Sequence, residues 1–241
     1  MQHLWNEYLY RPLYNLLIAF TAVVPLGDVG LAIILLTVFI KLILYPLTKR
    51  SVESQLVQKE LEPELARIKK EYPDKKIQAE KTMELYKEKQ ASPFSGCLPL
   101  LIQFPIIIAL YYVFYRGLAQ APNLLYSFIP TPGALNTHFL GIVDLAVPSI
   151  ILAVLAGASQ FIQMRLSVSA MKKMGGNTPA SPENAFAQSM QTQMQYILPI
   201  MIIFIGTKLS GAVALYWITS NIVTTIQEYM IRLNYARRKA A

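Results

Sequence analysis

Apolar residues in this chain fall into long blocks, separated by polar stretches of very unequal length. Five blocks are read as membrane-spanning helices, because a helix needs about 20 predominantly apolar residues to cross ~30 Å of hydrocarbon. They are roughly Val29–Tyr45, Leu98–Tyr115, Leu145–Met164, Tyr196–Thr207 and Gly211–Ile231. Tyr196–Thr207 is short by that measure and depends on the Gln-rich turns before it. A sixth block, Leu13–Val24, is too short to cross and is bracketed by Pro12 and Pro25. It fits a helix lying at the membrane interface, with Tyr8, Tyr10 and Tyr14 at headgroup level; half of a re-entrant hairpin is the alternative that so short a run permits.

The longest polar stretch reads as a helical hairpin. Its first arm runs from about Leu47 to Tyr72, with Val57, Leu61, Leu65 and Ile68 on one stripe. Pro73 and Asp74 make the break, and a second arm continues to about Gln90, before Ser92-Pro93. Pro63 is expected to weaken or kink the first arm, since it removes a backbone hydrogen bond. The stripe is narrow and the second arm barely has one, which predicts a mobile element. The fold class expected is therefore all-α: five transmembrane helices, an N-terminal interfacial helix and a cytoplasmic helical hairpin. The divisions are 1–27 for the N-terminal segment, 28–46 for the first span, 47–92 for the hairpin, 93–235 for the other four spans and 236–241 for a basic tail.

Composition agrees with this division. Hydrophobic residues make up 54% of the chain and charged residues 15%, concentrated between residues 49 and 89, whereas a soluble fold spreads charge over its surface. The net charge of +8 is best read through topology. Eleven lysines and arginines fall between Lys49 and Lys89, three in Arg165–Lys173 and four in Arg232–Lys239, eighteen of the twenty-two. Arg11, Arg116 and Lys208 keep to the opposite side. The positive-inside rule then puts the N-terminus outside and the C-terminus in the cytoplasm, consistent with an odd number of spans. A single cysteine, Cys97, excludes an internal disulfide, and His3 and His138 lie far apart, so no metal centre is expected. The N-terminus lacks the small-residue cleavage site of a signal peptide.

Polar residues inside the spans carry the functional reading. An ionisable group at the centre of the bilayer costs about 2.5–3.5 kcal/mol on insertion scales. Lys41 lies well inside the first span, about 20 Å from the outer face at ~1.5 Å per residue. The plainer reading is that it snorkels to the inner headgroups. Yet Thr37, Lys41 and Thr48 share a helical face; Gln103 sits two turns into the second span; Ser159, Gln160 and Gln163 lie near the cytoplasmic end of the third. The fifth carries Trp217, Asn221, Thr224 and Glu228 at spacings of four, three and four. Convergence from four spans at one depth implies a hydrophilic groove open to the cytoplasm, since unpaired amides in hydrocarbon cost several kcal/mol. The groove is assigned to Lys41, Thr37, Gln103, Gln160, Gln163, Trp217, Asn221 and Thr224. Met164, Met171, Met174, Met190, Met194 and Met201 gather near the cytoplasmic side; ordinary packing is the commoner explanation, promiscuous apolar binding the other.

Three passages in this order carry a resemblance. They are Pro12-Leu13-Tyr14-Asn15-Leu16-Leu17, then Gly96-Cys97-Leu98-Pro99-Leu100-Leu101-Ile102-Gln103-Phe104-Pro105-Ile106, then Ala214-Leu215-Tyr216-Trp217-Ile218-Thr219-Ser220-Asn221. From about residue 11 to 235 the chain resembles the YidC/Oxa/Albino family of membrane protein insertases, and Leu61-Glu62-Pro63-Glu64 looks like that family's hairpin. The resemblance implies a five-helix core with a lipid-exposed groove, no cofactor and no covalent chemistry. It matches the family's groove positions to Lys41, Gln163 and Trp217, and its hydrophobic slide to the second and fourth spans. The large periplasmic domain of some bacterial members is missing, as in the short type. Two departures stand out: Lys41 replaces the usual arginine, which keeps charge but loses the bidentate fork, and Leu209-Ser210-Gly211-Ala212 lacks a proline common there.

The function the resemblance implies is insertion of client membrane proteins at the cell membrane. Its partners would be nascent membrane proteins and membrane lipids, with the ribosome, the signal recognition particle receptor and the Sec translocon as further candidates. A secondary transporter or channel subunit is the alternative, but it calls for inverted repeats and a path to both faces. An intramembrane enzyme is argued against by the absence of Gly-x-Ser-x-Gly, His-Glu-x-x-His or paired intramembrane aspartates.

Overall fold

The computed structural model describes residues 5–89, 91, 98–115, 124–129, 135–174 and 182–240, with side chains for all of these except 98–101, 170–174, 182–192, 194 and 240. The expectations about Ser92-Pro93, Gly96-Cys97, Arg116 and Gly175-Gly176, and about the side chains of Met171, Met174, Met190 and Met194, fall outside these residues. Among the described residues the regular structure is helical apart from one two-stranded hairpin and an isolated bridge between Asp28 and Asn136. A π-helical turn, Asn6–Tyr10, runs into α1 (Arg11–Val23), followed by α2 (Val29–Ile43), α3 (Tyr45–Glu71), α4 (Lys75–Glu88) and α5 (Leu98–Tyr115). After β1 (His138–Phe139) and β2 (Val143–Asp144) come α6 (Ile150–Met174), α7 (Pro182–Gly206) and α8 (Gly211–Ala240).

α1 is more deeply packed than an interfacial position suggests. Tyr10 and Tyr14 are each 1% exposed and point into the bundle, while Tyr8, at 77%, points out. Asn15 explains why this helix holds its place. Its amide donates to the Arg11 and Leu124 carbonyls, both at 2.8 Å, and its oxygen accepts from Tyr126 N at 2.7 Å. A buried amide with all these bonds made avoids the cost of an unpaired polar group. The Arg11 guanidinium stacks over the Tyr126 ring, 4.8 Å from its centroid, and closes the same corner.

Asp28 starts α2 as an N-cap, accepting from Gly30 N at 2.7 Å and Leu31 N at 3.2 Å. Its second oxygen accepts from Leu140 N at 2.8 Å, so the cap also clamps the β-hairpin onto the helix end. β1 and β2 pair antiparallel, Phe139 opposite Val143. Leu140 and Gly141 have φ of 52° and 71°, the hand that a tight hairpin turn demands. At the other end α2 stops at Leu44, and α3 leaves at 60° to it. Pro46 lies in the first turn of α3, where a missing N–H costs nothing.

The helical hairpin has the arms expected, with Asp74 capping the second, but α3 runs through Pro63 without interruption. Leu61 packs with Leu85 and Ala91, flanked by Leu65 and Ile68, and these contacts offset the lost backbone bond. The base of α3 docks on α8 through Val52, Leu56 and Ile231.

The bundle is apolar on its outside. Ile151, Ile200, Phe204 and Tyr229 are each two-thirds exposed or more, while Asn221, Gln160 and Gln227 are buried. A water-soluble protein shows the reverse. Among the described residues, one helix is by itself long and apolar enough to cross a bilayer, Ile150–Ser169 within α6. α2 and α3 pass that test only as a bent pair, and Ile102–Tyr115 and Gln195–Gly206 are apolar but shorter. α6 begins at Ile150, not Leu145, because Leu145 to Pro148 cross back to α8: Gly211 N and Ala212 N donate to the Val147 and Leu145 carbonyls. α6 and α7 meet through small residues. A Cβ at Gly157 would strike Ile203 and come 2.9 Å from the Pro199 carbonyl, and one at Gly206 would come 2.9 Å from the Ala153 Cβ. Where lipid is as apolar as the helix surface, such close backbone approach does the work that the hydrophobic effect does in water.

Candidate functional site

α8 organises the interior, packing along α2, α3 and α6. Polar residues on two of its sides meet polar groups from three other helices: Trp217, Asn221 and Glu228 face α6, and Tyr216 and Gln227 face α5 and α2. Two hydrogen-bonded networks result.

The first joins α2, α5 and α8. Lys41 Nζ donates to Gln103 Oε1 at 3.4 Å, and Gln103 Nε2 donates to the Tyr216 hydroxyl at 2.8 Å. Gln227 Nε2 donates to the Lys41 carbonyl at 2.9 Å, in the last turn of α2, where carbonyls run out of intrahelical partners. Lys41 is half-buried.

The second joins α6 and α8. Trp217 Nε1 donates to Gln160 Oε1 at 3.2 Å, Gln160 Nε2 to Gln163 Oε1 at 3.4 Å, and Gln163 Nε2 to Glu228 Oε1 at 3.0 Å. The other Glu228 oxygen accepts from Ser167 Oγ and pairs with Arg232 Nη2 at 3.1 Å. Asn221 Nδ2 donates to Ser159 Oγ at 2.9 Å beside this chain. An interhelical hydrogen bond in a membrane is worth only about 0.6 kcal/mol on average, but leaving the same groups unpaired costs several. Pairing is therefore what lets these residues be here at all.

The charge balance differs between the two networks. Arg232 is 8% exposed and ion-paired with Glu228, so its charge is locally compensated. Among the described residues no carboxylate lies within ion-pairing distance of Lys41.

Of the residues expected to line a groove, Lys41 and Gln103 meet in the first network; Gln160, Gln163 and Trp217 meet in the second, with Asn221 beside them. Thr37 is not drawn in: it is fully buried and its hydroxyl donates to its own helix, at Ile33 O, 2.6 Å away. Thr224 is half-buried on α8 between Asn221 and Glu228. The groove assignment left out Tyr216, Ser167, Gln227 and Arg232, and it counted Ser159 and Glu228 among the convergent polar groups without assigning them to the groove. The i,i+4 pair Glu228/Arg232 was the available signal, but Arg232 was absorbed into the positive-inside segment. Among the described residues no three His, Cys, Asp or Glu side chains come together as a metal ligand set.

An all-helical bundle with an apolar exterior and a polar seam inside it is the build of a helical membrane protein. The 60Kd inner membrane protein family matches residues 20–238 of the chain. The membrane protein insertase YidC of Clostridium tetani is 40% identical over 201 residues, covering 83% of this chain and 79% of that protein. The protein of the same name in Fusobacterium nucleatum is 36% identical over 226 residues, 91% of this chain and 96% of the relative. That of Francisella philomiragia is 35% identical over 212 residues, 87% of this chain but 33% of the relative, so the chain spans about a third of that longer protein. The chain belongs to the 60Kd inner membrane protein family, that of the YidC insertases.

Proposed function

We propose that this chain is a membrane protein insertase, acting without covalent chemistry or a cofactor. The observation that carries the reading, beside family membership, is the pair of polar networks on two sides of α8, Lys41–Gln103–Tyr216 on one and Trp217–Gln160–Gln163 on the other. Together these offer a client a cation and a set of amide and hydroxyl partners inside an otherwise apolar bundle. A polar or acidic flank entering there exchanges water for those partners, which lowers the desolvation barrier to crossing. The client's apolar segment then leaves along α5 and α7 into lipid, and its own burial drives the step at roughly 25 cal/mol per Å².

The same reading takes α2, α5, α6, α7 and α8 as five spans, with the N-terminus outside and the C-terminus in the cytoplasm. α1 lies at the outer boundary with one face on the bundle. Residues 47–92 project into the cytoplasm, 93–235 complete the core and 236–241 form a tail. Thr37 and Thr224 border the groove. Nascent membrane proteins and lipids are the partners, and a ribosome, the signal recognition particle receptor or a Sec translocon are docking partners on the cytoplasmic side. The test is reconstitution of the purified chain in vesicles with a freshly translated client. Protease protection of the client's translocated flank, above that of empty vesicles, is the expected result. Flux of small solutes with no gain in protection would replace this reading with a channel.

A further inference from the structure

The second network holds a carboxylate that client insertion, as described above, does not use. Glu228 lies eleven residues beyond Trp217, three turns along α8. Between them run three hydrogen bonds, from Trp217 Nε1 to Gln160 Oε1, from Gln160 Nε2 to Gln163 Oε1, and from Gln163 Nε2 to Glu228 Oε1. The two ends of this chain are chemically one-way, since an indole N–H only donates and an ionised carboxylate only accepts. Each glutamine between them must therefore turn its oxygen toward Trp217 and its NH2 toward Glu228. Reversing either amide sets donor against donor or acceptor against acceptor. Bonds that all point one way also polarise one another.

We infer that Glu228 is a positioning residue: it terminates a one-way hydrogen-bond relay, Trp217 to Gln160 to Gln163 to Glu228, that fixes both amides and the indole at the groove. Arg232 makes such an ending tenable. A lone buried carboxylate is costly, and Arg232 Nη2 supplies the countercharge at 3.1 Å while its Nη1 donates to the Ser167 carbonyl at 2.9 Å. The pair is thereby tied to α6, the helix that carries both glutamines. The consequence for insertion rests on the groove reading above, whereas the relay itself is read with no client present.

Trp217 is one of two tryptophans, so a Trp5→Phe background makes it the only indole reporter. In client-free vesicles of the full chain, Glu228→Gln removes the obligate acceptor and is expected to shift Trp217 emission. With client, the same variant loses insertion several-fold. The decisive variant is the exchange Glu228→Arg with Arg232→Glu. It restores an ion pair, and with it the thermal stability lost in Glu228→Arg alone. It also places a donor where the relay ends, so Trp217 emission stays shifted. Return of the original emission in the exchanged protein would overturn the relay and leave an ion pair that only braces α6 against α8. Should the exchange fail to fold, the cycle of Glu228→Gln with Gln163→Leu decides. The relay requires that Glu228→Gln add no further shift once Gln163 is gone, and additive shifts sink it. Emission that follows the relay while insertion is unchanged in every variant upholds the relay and counts against the groove function.

Discussion

Gln227 on α8 donates to the backbone carbonyl of Lys41 at 2.9 Å, so the end of α2 that bears Lys41 is held by the helix that bears Trp217. That bond holds the Lys41 backbone, while the ammonium itself donates to Gln103 Oε1 at 3.4 Å. An electrostatic groove and simple snorkelling make different demands on this ammonium.

Substitution at Lys41 tests them. Lys41→Arg keeps the charge and is expected to retain insertion of clients with acidic flanks. Lys41→Ala and Lys41→Glu impair it progressively, because a Coulomb term in a partly desolvated site exceeds its value in bulk water. Clients with neutral flanks lose less. Equal insertion of acidic and neutral clients by Lys41→Ala, at matched protein levels, would remove the electrostatic role.

Orientation is accessible to labelling. In a Cys97→Ser background, a cysteine replacing Ala79 on α4 is expected to react with a membrane-impermeant thiol reagent only from the cytoplasm. One replacing His138 at the exposed start of β1 reacts from outside. Outside reaction at position 79 reverses the topology and closes the groove argument.

At the junction of α3 and α8, magnitudes decide which contact matters. Glu53–Arg238 and Glu60–Lys239 are ion pairs whose basic partners are about 60% exposed, a class worth about 0–1 kcal/mol each. Leu56 is 1% exposed in the apolar contact between them. Leu56→Ala is expected to cost ~2–5 kcal/mol, and Glu53→Ala less than about 1 kcal/mol. Amide exchange in α3 reads both, and a larger effect from Glu53→Ala shows that charge holds the junction.

The clamp between Asp28 and the β-hairpin gives a prediction about packing. A Cβ at Gly30 would run into the Phe139 ring, so Gly30→Ala must push β1 away from α2. Overpacking of this kind costs ~1–3 kcal/mol. Thermal unfolding in detergent is expected at lower temperature, with the loss concentrated in protease sensitivity around His138–Asp144. An unchanged midpoint means the hairpin moves aside freely and Asp28 does not clamp it.

Exchange should also rank the two arms of the hairpin. Leu85 is the one buried residue of α4, whereas α3 buries Ser51, Val52, Leu56 and Leu61. Amides of Lys75–Glu88 are expected to exchange faster than those of Ser51–Leu61. The opposite order would mean that the tip is held by something other than its own packing.

Periodicity and punctuation determine much of this molecule. The apolar blocks, the break at Pro73-Asp74 and the three- and four-residue spacing of Trp217, Asn221, Thr224 and Glu228 each act within one or two helical turns, and so they are legible from the chain alone. Each apolar block lies largely within a helix, although α6 starts later than its block and α7 earlier, and the α8 face is the one the spacing indicates. Partnership is another matter. Thr37 shares a face with Lys41 in the sequence, yet it sits fully buried with its hydroxyl on Ile33 O, because α2 presents its sides to different neighbours. Pro63 lies inside α3 without ending it, in a stretch where Leu61 packs on Leu85 of the opposing arm, a contact the chain alone does not show. Tyr10 and Tyr14 turn inward because α1 has a bundle to pack on, which no window of twelve residues reveals. Whether Glu228 meets Arg232 alone or also Ser167 and Gln163, some sixty residues away, depends on how α6 lies across α8. Local spacing decides which side chains share a face; only the packing of one helix on another decides what that face touches.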